Sequence, residues 1–368
     1  MSDNRERYRT IKQSLNQLYP HEPTGNQARH LNTLAALISG IVGSRSCQLP
    51  DSASKVPDGT KKESRGKRYS RWLQNATITA PVYFLPYAGE LLATLATTHS
   101  LLLAIDGSEV GRGCVALMIS VIYKHRALPL VWAVVQQAKG HVPETLHVHL
   151  VQQVYALVPA TADVILVGDG EFDGVTLQAT LHGYGWEYVG RTAKNVQLGE
   201  PASATLFPFE AVNVQPGECL ALFDVTFTQQ AYGPILAIAW WDAAYKQPLY
   251  LVSNMALYEE ACHWYRRRYR IETFFSDQKS RGFNLQNSHL ADPERLARLL
   301  IATCLAYIWI VYLGVVAHRD KWVAIIHRTD RCDLSLFQLG LELLDHFLNE
   351  DLPIPVAFKI PEDSKSVR

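Results

Sequence analysis

The sequence has no excess of charge of either sign. Its 35 lysine and arginine residues are balanced by 35 aspartate and glutamate residues, so the formal net charge is zero. This balance argues against a uniformly basic protein that coats nucleic acid. The charge is nevertheless uneven along the chain, because residues 61–71 carry six basic side chains and one acidic one, and residues 263–281 carry six basic and two acidic ones. Two basic segments on a neutral protein indicate a polyanion bound at defined places.

Cysteine motifs are also missing. The six cysteines lie far apart, and none forms a CxxC pair or the Cys/His spacing of a zinc site. Their distribution indicates a reducing environment and argues against structural zinc and disulfides. The first residues, MSDNRERYRT, are polar and charged, so no signal peptide is visible. We therefore expect a cytoplasmic protein.

The longest stretch without a lysine, arginine, histidine, aspartate or glutamate has 19 residues. Residues 299–317, LLIATCLAYIWIVYLGVVA, are long enough to span a bilayer. Basic residues flank the stretch on both sides, so they indicate no orientation in a membrane. The alternative is a helix buried in a large core, which we favour because polar residues and a glycine interrupt the stretch. We expect no membrane partner.

The order of predicted elements places a mixed sheet in the middle of the chain. Residues 1–78 have helical periodicity, and residues 98–192 read as β-β-β-α-β-α-β. Residues 193–256 contain strands without intervening helices and form a β-rich insertion. Residues 257–318 return to helix, and the tail, residues 319–368, contains one amphipathic helix. The predicted fold class is α/β (α+β), with a mixed sheet covered on both faces by helices.

The first basic segment, KKESRGKRYSR, lies in the predicted helical region. Its apolar residues, together with those that follow, form one face: Tyr69, Trp72 and Leu73. Its candidate phosphate-contacting residues are Lys67, Arg68 and Arg71. A small helical bundle with a basic edge is a candidate DNA-binding domain, although an ordinary solvated helix explains the same residues nearly as well.

Two aspartates follow buried strands in the predicted sheet. Asp106 ends the run LLLAID, Asp169 ends DVILVGD, and a glycine follows each. One such Asp-Gly pair is usually only a turn. Two at the ends of neighbouring strands, however, point into the crevice where sheets bind ligands. Their oxygens suit Mg²⁺, and two shared ions can support phosphoryl transfer.

The second basic segment predicts a helix over residues 257–279. At 100° per residue, Tyr265, Arg268, Glu272 and Lys279 fall on one narrow stripe. A carboxylate would then lie in line with phosphate-binding groups, as a metal ligand beside a bound polyanion would. The alternative is a solvated helix with an Arg268–Glu272 pair at i,i+4. Helix geometry alone leaves both interpretations open.

The spacing of these four residues resembles a known family signature. Tyr265-x2-Arg268-x3-Glu272-x6-Lys279 matches the Y-R-E-K signature of the insertion-sequence-four transposases without a gap. The strands that end in IDGS and VGDGEF and the β-rich insertion agree with that family, over roughly residues 30–318. The resemblance implies a DDE transposase with an RNase H-like catalytic core.

The resemblance also implies a catalytic set and its cofactor. The triad Asp106, Asp169 and Glu272 would bind two Mg²⁺ ions, for which Mn²⁺ can substitute. The second motif departs from the common Asp-Arg-Gly-Phe, since Asp169 is followed by Gly-Glu-Phe. This adds Glu171 and Asp173 as nearby carboxylates.

The implied partner is double-stranded DNA, both the terminal repeats of the element and the target, bound by a homodimer. Tyr265, Arg268 and Lys279 would contact phosphates of the transposon end, which passes through a hairpin. Trp240 or Trp241 in the insertion could stack on an extruded base, although core packing is the simpler role for at least one. Two other functions remain: another RNase H-like nuclease, or a domesticated DNA-binding protein without catalysis.

Overall fold

The computed structural model describes residues 3–97, 100–137, 140, 142–200, 205–328 and 332–360. Six helices come first: α1 (Asp3–Gln17), α2 (Gly25–Ser44), α3 (Leu49–Ser54), α4 (Lys62–Gln74), α5 (Ala80–Tyr83) and α6 (Leu85–Ala96). The central region follows as β1 (Leu101–Gly111), β2 (Cys114–Tyr123), β3 (Arg126–Gln136), α7 (Glu144–Tyr155), β4 (Val164–Gly168), α8 (Val175–Gly183) and β5 (Glu187–Thr192).

Five strands and five α-helices follow, with two short 3-10 helices at Phe209–Val212 and Leu285–Asn287. The strands are β6 (Gln197–Gly199), β7 (Leu206–Pro208), β8 (Cys219–Phe227), β9 (Tyr232–Trp240) and β10 (Leu249–Ser253). The helices are α9 (Tyr258–Tyr265), α10 (Arg270–Gln278), α11 (Pro293–Arg319), α12 (Val323–Ile326) and α13 (Leu336–Asn349). Helix α13 is the amphipathic helix predicted in the tail, and its apolar side chains are buried.

The described strands form one mixed sheet in the order β3-β2-β1-β4-β5-β10-β9-β8-β6-β7. Strands β1, β4 and β5 run parallel, whereas β1, β2 and β3 form an antiparallel meander. All five residues of β4 are buried, as expected for a parallel strand covered on both faces. The predicted β-β-β-α-β-α-β order and the mixed α/β class are confirmed, and the arrangement is consistent with an RNase H-like core.

The predicted β-rich insertion continues the central sheet. Strand β10 pairs antiparallel with β5, from Tyr250 opposite Thr192 to Ser253 opposite Val189. Strands β9 and β8 then add outward from β10. Buried side chains of these strands form a small separate cluster with Phe209. The insertion therefore has a local core but shares its backbone hydrogen bonding with the central sheet.

The long uncharged stretch is the centre of the hydrophobic core. Helix α11 contains an 18-residue window apolar enough to cross a membrane, but 94% of that window is buried inside the protein. The helix contacts β3, α2, α4 and α13. Asp292 caps its first turn by accepting a hydrogen bond from the Arg295 amide at 2.7 Å, and Pro293 occupies a first-turn position that lacks an intrahelical partner. Of the two predicted alternatives, the structure has the buried helix.

The N-terminal helices share the core built around α11. Helix α4 buries the predicted face of Tyr69, Trp72 and Leu73. From α11, the Arg298 guanidinium donates hydrogen bonds to the carbonyl oxygens of Leu73 and Ile78, at 3.0 and 3.2 Å. The buried residues of α2 and α4 belong to the same apolar cluster as those of the sheet. The division of the chain at residue 78 stays a prediction, and deleting residues 1–78 would uncover part of α11.

The backbones of α11 and α13 approach each other at two glycines. A Cβ atom at Gly314 would overlap the carbonyl oxygen of Leu336, and one at Gly340 would overlap that of Ile310. We expect Gly340→Ala to lower the free energy of unfolding by at least about 2 kcal/mol, because the two backbones would have to separate. Urea denaturation of the purified variant measures this change.

Gly89→Ala in α6 is the matched control, because a Cβ atom there meets nothing within 4 Å. This change should be neutral or stabilise by up to about 1 kcal/mol, since alanine loses less backbone entropy in a helix. If Gly340→Ala were as stable as Gly89→Ala, the close approach of α11 and α13 would be wrong.

Candidate active site

Strand register brings Asp106 and Asp169 together. The last paired residues of the parallel strands β1 and β4 are Ile105 and Gly168. The next residue on each is an aspartate, so the two carboxylates start from neighbouring backbone positions, about 5 Å apart. Asp106 is 2% exposed, and its Oδ1 accepts a hydrogen bond from the Gly107 amide at 2.7 Å. Asp169 is half-buried, and its Oδ1 accepts one from the Glu171 amide at 3.3 Å.

The segment that carries Glu272 is not one continuous α-helix. Helix α9 ends at Tyr265 and α10 begins at Arg270. Between them the amides of Arg267 and Arg268 bond to carbonyl oxygens three residues back, those of Trp264 at 3.0 Å and Tyr265 at 2.9 Å. The prediction of one helix over residues 257–279 is therefore wrong at residues 266–269. An unbroken α-helix would place Arg266 and Arg270 as like-charged neighbours at i,i+4, which is unfavourable.

The guanidinium of Arg268 lies between two of the candidate carboxylates. Its Nη2 donates to Glu272 Oε1 at 2.7 Å, and its Nη1 lies 3.7 Å from Asp106 Oδ2. Because both oxygens contact one planar guanidinium, they lie within roughly 9 Å of each other. The Arg268 side chain is 16% exposed, the Glu272 side chain 56%. Glu272 is thus tied to the buried Asp106 through the arginine.

Charge in this site is balanced by contacts between its own residues. Burial alone would lower the pKa of Arg268, but Tyr265, Glu272 and Asp106 together raise it above its ordinary value. Burial raises the pKa of Tyr265. The charges of Arg268 and Arg191 lower this pKa in part, and the charge of Asp169 raises it further. The contacts of Arg268 thus join Asp106 and Glu272, whereas Asp169 acts on Tyr265 only through its charge.

No three His, Cys, Asp or Glu side chains in the described part of the chain are grouped closely enough to hold a metal ion as they stand. The donor chemistry nevertheless fits a hard cation, because it consists of carboxylate oxygens. The Arg268 guanidinium acts as the cation between Asp106 and Glu272. A divalent ion would fit this set once Arg268 moves away and Glu272, which is largely exposed, turns inward.

Lys279 is held on the same face of β1 as Asp106. Its Nζ donates to the Oγ of Ser108 at 2.8 Å. Ser108 lies two residues after Asp106, and side chains two apart on a strand point to the same side. Sequence reasoning did not single out Ser108, although the alternation that starts at Asp106 in IDGS could have indicated it.

The additional carboxylates of the second motif have other partners. Glu171 Oε1 accepts a hydrogen bond from the Val142 amide at 3.0 Å. Asp173 Oδ2 accepts one from Thr192 Oγ1 at 2.6 Å, and burial raises the pKa of Asp173. Both bonds tie the loop after β4 to neighbouring segments.

The two tryptophans of the insertion differ in exposure. Trp240 is 5% exposed, and its ring packs against Tyr245 and under the guanidinium of Arg266, 4.7 Å from the ring centroid. Trp241 is half-buried, and its indole Nε1 donates to the carbonyl oxygen of Tyr245 at 3.2 Å. Core packing is therefore the role of Trp240.

The three predicted phosphate-contacting residues of α4 differ in exposure and pairing. Lys67 and Arg71 are exposed and lie on one face at i,i+4. Arg68 instead pairs with Asp58, with Nη2 and Oδ2 2.5 Å apart. Burial would raise the pKa of Asp58, but hydrogen bonds from Thr60 and Arg68 lower it to about 2. Two of the three predicted phosphate-contacting residues are thus exposed, and the third is already paired.

Comparison with known proteins gives one family. The family model described as the transposase DDE domain matches residues 94–309, more than half of the chain. No curated protein matches the sequence. The cryo-EM structure of a piggyBac transposase synaptic complex with hairpin DNA is similar at 12% identity, with 95% of this chain and 79% of that chain covered and a TM-score of 0.45. The crystal structure of human ENDOV is similar at 14% identity, with 52% and 81% covered and a TM-score of 0.24.

The two contacts of Arg268 should differ in their contribution to stability. We expect Arg268→Ala to lower the free energy of unfolding by about 1–3 kcal/mol, because the buried Asp106 carboxylate loses this guanidinium. Glu272→Ala should cost less than about 1 kcal/mol, because the Glu272 carboxylate is largely solvated. Denaturation without divalent metal ions measures both. Equal losses would mean that the exposed Arg268–Glu272 bond, rather than the contact with Asp106, stabilises the fold.

Proposed function

The chain belongs to the DDE transposase family, and from this premise we propose that it cuts and joins DNA at the terminal repeats of an insertion sequence. The Y-R-E-K spacing supports an assignment to the insertion-sequence-four branch. The protein would act in the cytoplasm on double-stranded DNA, as a homodimer that holds two element ends and a target. The observation that carries the proposal is that the Arg268 guanidinium lies between the carboxylates of Asp106 and Glu272. Asp169 follows the strand that neighbours the strand of Asp106.

We assign metal binding to Asp106, Asp169 and Glu272. Two Mg²⁺ ions, or Mn²⁺ in their place, would activate the attacking oxygen and stabilise the leaving oxygen of phosphoryl transfer. Asp106 and Asp169 supply fixed ligands because neighbouring strands of the sheet position them. Glu272 supplies a movable ligand, since its side chain is 56% exposed and its hydrogen bond to Arg268 is exposed.

We assign phosphate binding to Tyr265, Arg268 and Lys279. A DNA phosphate is a strong acceptor for a guanidinium and would compete with the two carboxylates for Arg268. Transfer of Arg268 to the phosphate would free Asp106 and Glu272 at the moment when DNA arrives. Lys279, held on the face of β1 that carries Asp106, lies where a second phosphate oxygen could be bound. Lys67 and Arg71 on α4, with Arg68 beside them, would bind DNA away from the cut.

Alanine at Asp106, Asp169 or Glu272 should abolish DNA cleavage while the protein stays folded and binds DNA. Binding could even tighten, because each change removes a negative charge near the phosphates. The measurement is a gel assay with purified protein, Mg²⁺ and DNA that carries the repeats flanking its own gene. Glu109→Ala is the matched control: Glu109 lies on β1 but is exposed and three residues from Asp106, hence on the other face.

Full cleavage by the Asp106→Ala protein would exclude this triad. A wild-type protein that binds the repeats but never cuts them, with either Mg²⁺ or Mn²⁺, would favour the non-catalytic DNA-binding protein.

Arg268→Ala should impair hairpin formation and resolution more than the first nick. The hairpin needs a sharply bent end with an unstacked base, which costs a few kcal/mol. A charge-assisted contact of about 1.5–3 kcal/mol from Arg268 can offset that cost. Nick, hairpin and joined product are followed separately on one labelled end.

Arg268→Lys is the control for charge without the bidentate geometry of the guanidinium, and it should restore the hairpin only in part. Equal loss of nick, hairpin and joined product in Arg268→Ala would contradict this role. The arginine would then support only Glu272 or overall binding.

A further inference from the structure

A basic cavity lies on the other side of the segment that carries Arg268. Its volume is about 530 Å³, and Lys124, His125, Trp264, Arg267 and Arg270 line it together with the start of β1 and the end of β2. No aspartate or glutamate is among its described lining residues. The cavity therefore concentrates positive charge without a carboxylate to neutralise it.

The cationic groups of the cavity are packed against an aromatic ring and against each other. The Arg267 guanidinium lies 4.6 Å from the centroid of the Trp264 ring. Arg270 Nη2 lies 3.4 Å from His125 Nδ1, and Arg270 Nε is buried without a hydrogen-bond partner among the described residues. Burial and the neighbouring Arg267 both lower the pKa of Arg270. An anion in the cavity would relieve this repulsion and provide the missing acceptor.

The tight turn at residues 266–269 separates this cavity from the candidate active site. With about three residues per turn, side chains three apart lie above one another. Trp264, Arg267 and Arg270 therefore form one row, and Tyr265 and Arg268 form the next. The cavity reaches Leu102, four residues before Asp106 on β1. At about 3.3 Å per residue this is about 13 Å, the length of roughly four base pairs of duplex.

We propose that this cavity binds a phosphate group of a DNA strand, with Lys124, Arg267 and Arg270 as its cationic contacts. The identification of the polyanion as DNA rests on the proposed function. The chemistry favours a nucleotide phosphate over an acidic side chain because guanidinium groups and a tryptophan ring together suit both a phosphate and a stacked base. This phosphate belongs to the same DNA that is cut, but it is bound outside the site that the catalytic carboxylates form.

The test is DNA binding by the full chain in EDTA, where no cleavage occurs. Fluorescence anisotropy of a labelled duplex is measured against salt concentration for wild type and for Lys124→Ala/Arg267→Ala. Each lost phosphate contact makes the slope of log K against log salt shallower by about 0.9. We expect the double variant, which loses the one phosphate of this cavity, to be shallower by about 0.9 and to bind roughly 10-fold more weakly at 0.1 M salt.

Two controls separate this site from general effects of charge and folding. The first control is Arg319→Ala/Lys321→Ala, which removes one arginine and one lysine that are exposed near the end of α11 and do not line the cavity. This variant should leave the slope of log K against log salt unchanged. Arg267→Lys keeps the charge and should keep most of the slope. Circular dichroism of each variant confirms folding, and a variant that fails to fold is replaced by Arg270→Gln.

The outcomes distinguish this proposal from the proposed function. Wild-type protein that binds no DNA would contradict the function itself. Wild-type binding with an unchanged slope in the double variant would overturn the cavity alone. A separate titration with deoxyadenosine monophosphate and with inorganic phosphate tests the source of the phosphate. Suppose that deoxyadenosine monophosphate or inorganic phosphate binds tightly to wild type but not to a variant without Arg267, while the salt dependence of DNA binding is unchanged. The cavity would then bind a free phosphate rather than DNA.

Discussion

Helix α11 has to be covered on every side, and most of the architecture follows from that requirement. Its uncharged stretch would expose a continuous apolar surface to water, so the sheet, the N-terminal helices and α13 all pack on it. The contact with α13 is close enough that Gly314 and Gly340 have no room for a Cβ atom. Arg298 of helix α11 donates hydrogen bonds to carbonyl oxygens at the end of α4 and in the loop that follows it. The candidate active site therefore rests on a scaffold whose N-terminal and C-terminal parts share one core.

On that scaffold, the buried carboxylate of Asp106 and the exposed carboxylate of Glu272 share a single arginine. Asp106 is buried in the sheet, and a buried carboxylate is costly unless a cation or hydrogen-bond donors accompany it. Arg268 provides positive charge and simultaneously holds Glu272 from the helix side. The same guanidinium is the natural partner of a phosphate. In the proposed function, competition for this one group links the arrival of DNA to the release of the carboxylates.

The tight turn between α9 and α10 directs three consecutive arginines toward different partners. Arg266 pairs with Asp242 of the insertion, Arg267 lies on Trp264, and Arg268 contacts the carboxylates. Three consecutive cations thus point to three different surroundings, which reduces their mutual repulsion. The turn also places the insertion, the basic cavity and the candidate active site around one short segment.

The sequence by itself determined the order of the elements, the mixed sheet and the positions of Asp106 and Asp169 at strand ends. It could do so because alternation, apolar runs and turn residues act over a few neighbouring residues. Tertiary structure decided whether the uncharged stretch is a membrane span or a core helix, because both satisfy the same local pattern. It also decided that β10 joins β5, that Arg68 pairs with Asp58, and that the segment around Arg268 breaks into two helices. The sheet pairing and the Arg68–Asp58 pair depend on partners outside the local pattern, and the break near Arg268 is a competition between alternative backbone hydrogen bonds that periodicity alone does not resolve.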